Sequence, residues 1–157
     1  MRTPLFAALA LLFLCSTAVA HEYEAGNLAI HHPYAYEVLK GNDVSHAFMT
    51  IANDGEEEDT LLRVTSPIAS HIDIMDNDNE KVEELDIPAH GAKKLKPNGY
   101  YLALSGIKKP IKIGVRKPVT LHFEHAGEVK AQLLFSKIGE ISKCDDGSNS
   151  VKLKPKN

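Results

Sequence analysis

The sequence predicts an all-β protein, a Greek-key β-sandwich, on three observations. No segment holds an apolar period of 3.6 residues for long enough to make an amphipathic helix. Short runs that alternate with period two recur instead. Between them stand clusters of Gly, Pro, Asn and Asp, whose backbone preferences favour turns.

Taken in order, Leu28 and Ile30 alternate with Ala29 and His31, and Ala47, Met49 and Ile51 alternate with His46, Phe48 and Thr50. Later runs are Leu61–Val64, Ile72–Met75, Val82–Ile87, Tyr100–Leu104, Val119–Phe123 and Val129–Phe135. The punctuation is Gly41-Asn42-Asp43, Asn53-Asp54-Gly55, Asp76-Asn77-Asp78, Lys96-Pro97-Asn98-Gly99 and His125-Ala126-Gly127. Roughly seven to nine strands at this spacing fit a sandwich. From about Lys143 the chain is polar, Lys-rich and aperiodic, which predicts a disordered tail over 143–157. There is no internal repeat.

The first residues carry a different signal. Met1-Arg2-Thr3 precedes an apolar run from Pro4 to Cys15, and Ala18-Val19-Ala20 forms an Ala-x-Ala cleavage site. The run is short of the ~20 residues that a membrane span needs. Residues 1–20 therefore read as a signal peptide, cleaved after Ala20, and the protein as exported without membrane insertion. Cys15 is preceded by Leu14, where lipid attachment normally requires a small residue, so a lipid anchor is not expected. Cleavage leaves residues 21–157, with one domain expected over 21–142. Removing Arg2 from the 18 basic residues leaves 17 against 21 acidic ones, a net of −4, which argues against nucleic acid. Cys144 is then the only cysteine, so no internal disulfide can form.

Several segments in order resemble the PCuAC family of periplasmic copper chaperones. They are Ala25-Gly26-Asn27-Leu28-Ala29-Ile30 with His32-Pro33, Phe48-Met49-Thr50-Ile51-Ala52-Asn53, Ser66-Pro67 and Ile87-Pro88-Ala89. Leu95 to Tyr100, Gly106 to Pro110 and Phe123 to Glu128 follow, so the resemblance spans roughly 25–135. It implies a cupredoxin-like sandwich, a periplasmic location and copper as the bound ion. It also implies a copper(I) site of His, Met and a later His-x-Met, soft thioethers beside imidazoles. Here the places of those ligands hold Met75, Asn79, Tyr101 and Ala103. Copper(I) binding in the family's manner is therefore not expected.

The alternative is nitrogen ligation. All eight histidines lie after Ala20, and His21 becomes the first residue on cleavage. An N-terminal histidine offers its α-amine and Nδ1 to one metal, and a second imidazole completes a histidine brace. Such tetragonal nitrogen donors favour Cu(II). An α-amine titrates near 7.7–8.0, so metal can displace its proton around neutral pH. Family members of methane-oxidising bacteria that lack the His/Met motif resemble this arrangement. The partner candidates are His46, a large polar residue where the family has a small one, and His71 with Asp73, which alternate along one strand. His31 and His32 read as structural, His90 as a turn residue, and His122 and His125 as solvated surface.

These residues predict a copper carrier, chaperone or store, with the ion and a copper-receiving protein as the expected partners. A metal-free interaction module that kept only the fold is the first rival. A copper enzyme is the second, because histidine braces can also activate oxygen. No nucleophile elbow, His-Glu-x-x-His or phosphate loop supports catalysis. Glu56-Glu57-Glu58-Asp59 lacks the alternating ligands of a calcium loop.

Overall fold

In a computed structural model that describes residues 23–138, the alternating runs become eleven β-strands, with no helix among the described residues. They are β1 (Tyr23–Ala25), β2 (Leu28–Tyr36), β3 (Ser45–Asn53), β4 (Asp59–Thr65), β5 (His71–Met75) and β6 (Lys81–Val82). β7 (Leu85–Ile87), β8 (Gly91–Leu95), β9 (Tyr101–Ser105), β10 (Arg116–Phe123) and β11 (Glu128–Ser136) follow. The expected signal peptide over 1–20, His21, the expected disordered tail over 143–157, Cys15 and Cys144 all lie outside the described residues.

One sheet runs in the order β6-β5-β9-β3-β2-β11-β10-β4-β7, with β1 also on β2 and β8 also on β3. Every pairing is antiparallel except β11 with β2. Neighbours distant in sequence, such as β2 with β11, mark the Greek-key crossovers. Strand β7 ends at Ile87, and after three intervening residues β8 begins beside β3, so the sheet curls round into a barrel-like layer. The all-β, cupredoxin-like architecture is thus present, with its layers continuous with each other.

Alternation places the core. Leu28, Ile30, Ala47, Met49, Ile51, Leu102, Leu104, Leu121, Leu133 and Phe135 are among the side chains buried inside. Each fully buried aliphatic of this kind contributes about 1.5–3 kcal/mol. In β2 the alternation changes phase. His31 pairs with Thr50 and Tyr34 with Phe48, leaving two residues, His32 and Pro33, opposite one on β3. This bulge accommodates a proline that has no N–H for the ladder. It also puts His32 at φ +48, and Pro33 and Ala35 take over the buried positions from Leu28 and Ile30.

The outer face of β2 and β3 carries a second, smaller apolar cluster. Phe48 points outward, away from Ala47 and Met49, yet is only 2 % exposed. The rings of Tyr34 and Tyr36 each stand 5.0 Å from it and cover it. Burial raises the Tyr36 phenol above its ordinary value.

Two devices fix the acidic β3–β4 loop. Buried Asn53 donates from Nδ2 to the carbonyls of Glu57 and Ile87, and its Oδ1 accepts the Gly55 N–H. The Asp59 carboxylate accepts backbone N–H groups from Thr60, His125 and Ala126, at 2.8, 2.9 and 2.9 Å. Burial acts to raise its pKa, but these hydrogen bonds outweigh it and hold the group below the ordinary carboxylate value.

Candidate metal site

Strand register decides which predicted ligands share a face. Ala103 on β9 pairs with His46 on β3 at one side and with Asp73 on β5 at the other. Directly paired residues project from the same side of a sheet. Leu102 and Leu104 point into the core, so Ala103, His46 and Asp73 point outward. His71, two residues before Asp73, shares that face and pairs with Ser105. The three described members of the predicted set therefore lie on one outer surface.

Two strand spacings, roughly 10 Å, separate the His46 and Asp73 backbones, with only the Ala103 methyl between them. The groups are held differently. The His46 imidazole rests against the Tyr101 ring, with centroids 4.7 Å apart, and this desolvation lowers its pKa below 6.5. A ring that stays neutral keeps its lone pair for a metal. Asp73 is engaged: its Oδ1 lies 3.0 Å from Lys81 Nζ, and this contact raises the Lys81 pKa. His71 is exposed, with its carbonyl accepting from the Ser105 hydroxyl at 3.5 Å. No group of three or more potential ligands among the described residues is assembled to hold a metal. A closed site needs a donor from outside them.

Three of the positions that the resemblance assigns to the family's copper(I) ligands lie together. Met75 pairs with Tyr101 across β5 and β9. The Tyr101 hydroxyl donates to Asn79 Oδ1 at 3.0 Å. Asn79 itself sits at φ +62 in the β5–β6 turn, where asparagine is tolerated. A phenol, an amide and one thioether now occupy this corner. Only the thioether is a soft donor suited to copper(I).

The remaining histidines have other partners. His122 Nε2 lies 3.0 Å from the Thr65 hydroxyl, and its Nδ1 lies 3.3 Å from Glu128 and 3.4 Å from an Arg63 nitrogen. His125 Nδ1 lies 3.4 Å from Asp59. His90 occupies the β7–β8 turn at φ +50, its N–H bonded to the Gly55 carbonyl. Sequence alternation missed two relationships: the ion pair of Lys81, which stands opposite Met75, with Asp73, and the position of His31 and His32. Tyr23 pairs with Ile30, so the N-terminal strand enters the sheet beside those two histidines.

Comparison with known proteins now bears on this arrangement. A sequence profile of the LpqE-like family, named for a lipoprotein, matches residues 28–134. The chain belongs to the LpqE-like family of PCuAC-type domains. Among solved structures, the apo PCuAC domain from PmoF1 superposes with a TM-score of 0.70 at 29% identity, covering 74% of this chain and 99% of that one. The copper-bound PCuAC domain from PmoF2 gives 0.70 at 26% identity, covering 74% and 98%. The copper(I) form of DR1885 from Deinococcus radiodurans shares the fold, with a TM-score of 0.61 at 22% identity over 77% and 84%. No curated protein matches the chain in sequence. A lipoprotein family is one of exported proteins, in keeping with the expected export of this chain. Among the described residues no helix is long and apolar enough to cross a membrane.

Proposed function

We propose that this PCuAC-type protein binds copper in the periplasm as a carrier or store, and takes Cu(II) through a histidine brace begun by His21. The observation that carries the reading is the Tyr101–Asn79 hydrogen bond, which fills the corner of the family's copper(I) ligands with hard donors. Membership of a family with a copper-bound relative keeps copper as the ion. In this reading the α-amine and Nδ1 of His21 supply two nitrogens, and a second imidazole supplies the third. His46, stacked against Tyr101, and His71 are the candidates on the outer face, with Asp73 as a carboxylate donor or an orienter of His71. Strand register adds His31 and His32 to the test. Only Glu22 separates His21 from Tyr23, a reach of about 7 Å, and Tyr23 pairs with Ile30 on β2, so these two histidines are nearer to the amine's reach than His46 on β3 or His71 on β5.

The deciding experiment compares Cu(II) binding by protein that begins at His21 with protein carrying one extra residue before it. The free amine should give tight one-to-one binding with a nitrogen-rich tetragonal EPR signal, and the extension should abolish both. Equal binding by the two forms would sink the brace and leave an internal histidine cluster. If neither form bound Cu(II) stoichiometrically, the metal-free module would take its place. The carrier reading also predicts no turnover of oxygen or peroxide by the copper-loaded protein with a reductant; sustained turnover would make it an enzyme.

A further inference from the structure

Charge is divided between the two ends of the barrel. At one end the β2–β3 loop (37–44), the β9–β10 segment (106–115) and the end of β11 are tied together. Val38 and Ile111 exchange both backbone hydrogen bonds, the Ile107 N–H donates to the Asp43 carbonyl, and the Glu37 N–H donates to the Ser136 carbonyl. Seven cationic side chains stand here, from Lys40 through the Lys108-Lys109-Lys112 and Arg116-Lys117 groups to Lys137. Only Glu37 and Asp43 oppose them in these segments. The ion pairs of Asp73 with Lys81, and of His122 and His125, lie elsewhere. The opposite end carries Asp54, Glu56, Glu57, Glu58, Asp59 and Glu124.

The basic end is also the apolar one. Leu39, Val44, Ile113 and Ile138 are each more than half exposed, and all four belong to it. Beside them an open groove of about 480 Å³ has Pro67, Ile68, Ile107 and Pro110 in its walls, with Lys108, Lys109 and Lys117 around it.

We propose that this end docks on an anionic phospholipid bilayer, with the lysines meeting lipid phosphates and the four aliphatic side chains entering the interfacial layer. Lysine and arginine around exposed aliphatic side chains is the chemistry of interfacial binding. The aliphatics stand on separate segments and do not line one common slot, which suits a fluid surface better than a single bound peptide. The acidic opposite end gives the domain a dipole that orients it, basic end first, toward negative charge. Docking would also hold His46 and His71 near the bilayer, because they are the second residue of β3 and the first of β5, strands that start at this end. The inference does not depend on which metal the protein carries.

Flotation of the mature chain, residues 21–157, without copper, with phosphatidylcholine vesicles and with phosphatidylcholine–phosphatidylglycerol vesicles tests it. The protein should float with the mixed vesicles alone and be released as salt rises. Each lysine neutralised should lower the vesicle partition about five-fold, and each lysine reversed should lower it further. Lys108→Glu with Lys109→Glu, and separately Leu39→Ser with Ile113→Ser, should each weaken flotation, while Glu57→Gln at the far end should leave it unchanged. All of these sites are exposed, and matching melting curves would show that the variants fold. Failure to float with the mixed vesicles, or flotation unaltered in the lysine variant, would overturn the proposal. Binding to a polyglutamate peptide without binding to vesicles would also overturn it, in favour of an acidic protein partner.

Discussion

The imidazole of His46 lies against the ring of Tyr101, 4.7 Å between centroids, on the face it shares with Asp73. Desolvation there lowers the His46 pKa below its ordinary 6.5. The folded state thus favours the neutral ring. Burial therefore costs nothing above 6.5, and stability falls as pH drops below 6.5 toward the folded value, because the unfolded ring takes up its proton first. An NMR titration of the His46 ring should give a midpoint below 6.5, and Tyr101→Ala should move it back up. A midpoint at or above 6.5 in the unaltered protein would remove the case for a ring kept ready for metal.

Asp73 and Lys81 make the next test, because a carboxylate cannot serve an ammonium and a metal equally well. Their 3.0 Å contact must open, or be shared, if Asp73 is to ligate. Both partners are substantially exposed, so the pair itself adds little to stability. If Asp73 ligates, Lys81→Met should tighten Cu(II) binding several-fold and Asp73→Asn should weaken it, with melting temperatures almost unmoved. If Lys81→Met leaves the affinity unchanged, Asp73 is not a ligand.

Much of the fold was legible from alternation, because a half-buried strand must place alternate residues in the core. The outward position of His46 followed from Ala47, Met49 and Ile51 in this way. What failed was local. The Val82–Ile87 run breaks at Glu83-Glu84 into β6 and β7, which pair with different strands. Strand β8 reads Gly-Ala-Lys-Lys-Leu, with little intrinsic β preference, and forms because β3 offers a free edge beyond β9. The site was harder to read. That His46 and Asp73 flank Ala103 depends on β9 lying between β3 and β5, a non-local pairing that no periodicity records. The same holds for Lys81, and for the N-terminal strand beside His31 and His32.

The N-terminus itself is the premise of the brace. Two cysteine-dependent and cysteine-independent routes of processing predict different first residues. Cleavage after Ala20 exposes the His21 amine, whereas lipid attachment at Cys15 would bury His21 inside the chain. Intact mass spectrometry of the exported protein should find a chain starting at His21. A lipid-modified Cys15 would remove the brace and would supply an anchor of the kind the family's name suggests.

Asp59 should govern the response to acid. Its carboxylate gathers three backbone N–H groups and so ties the start of β4 to the β10–β11 turn. The folded pKa is depressed below 3.8, so the stabilisation is fully present above that value and is lost as pH falls through the folded one. Asp59→Ala leaves these donors without their acceptor and should cost about 2–4 kcal/mol at pH 7. Asp59→Asn keeps an acceptor oxygen and should cost less, while removing a titrating group from the acid limb. Urea unfolding at several pH values would therefore show a shallower decline below 3.8 for Asp59→Asn than for the unaltered protein. Parallel curves for the two would mean that another carboxylate controls acid unfolding.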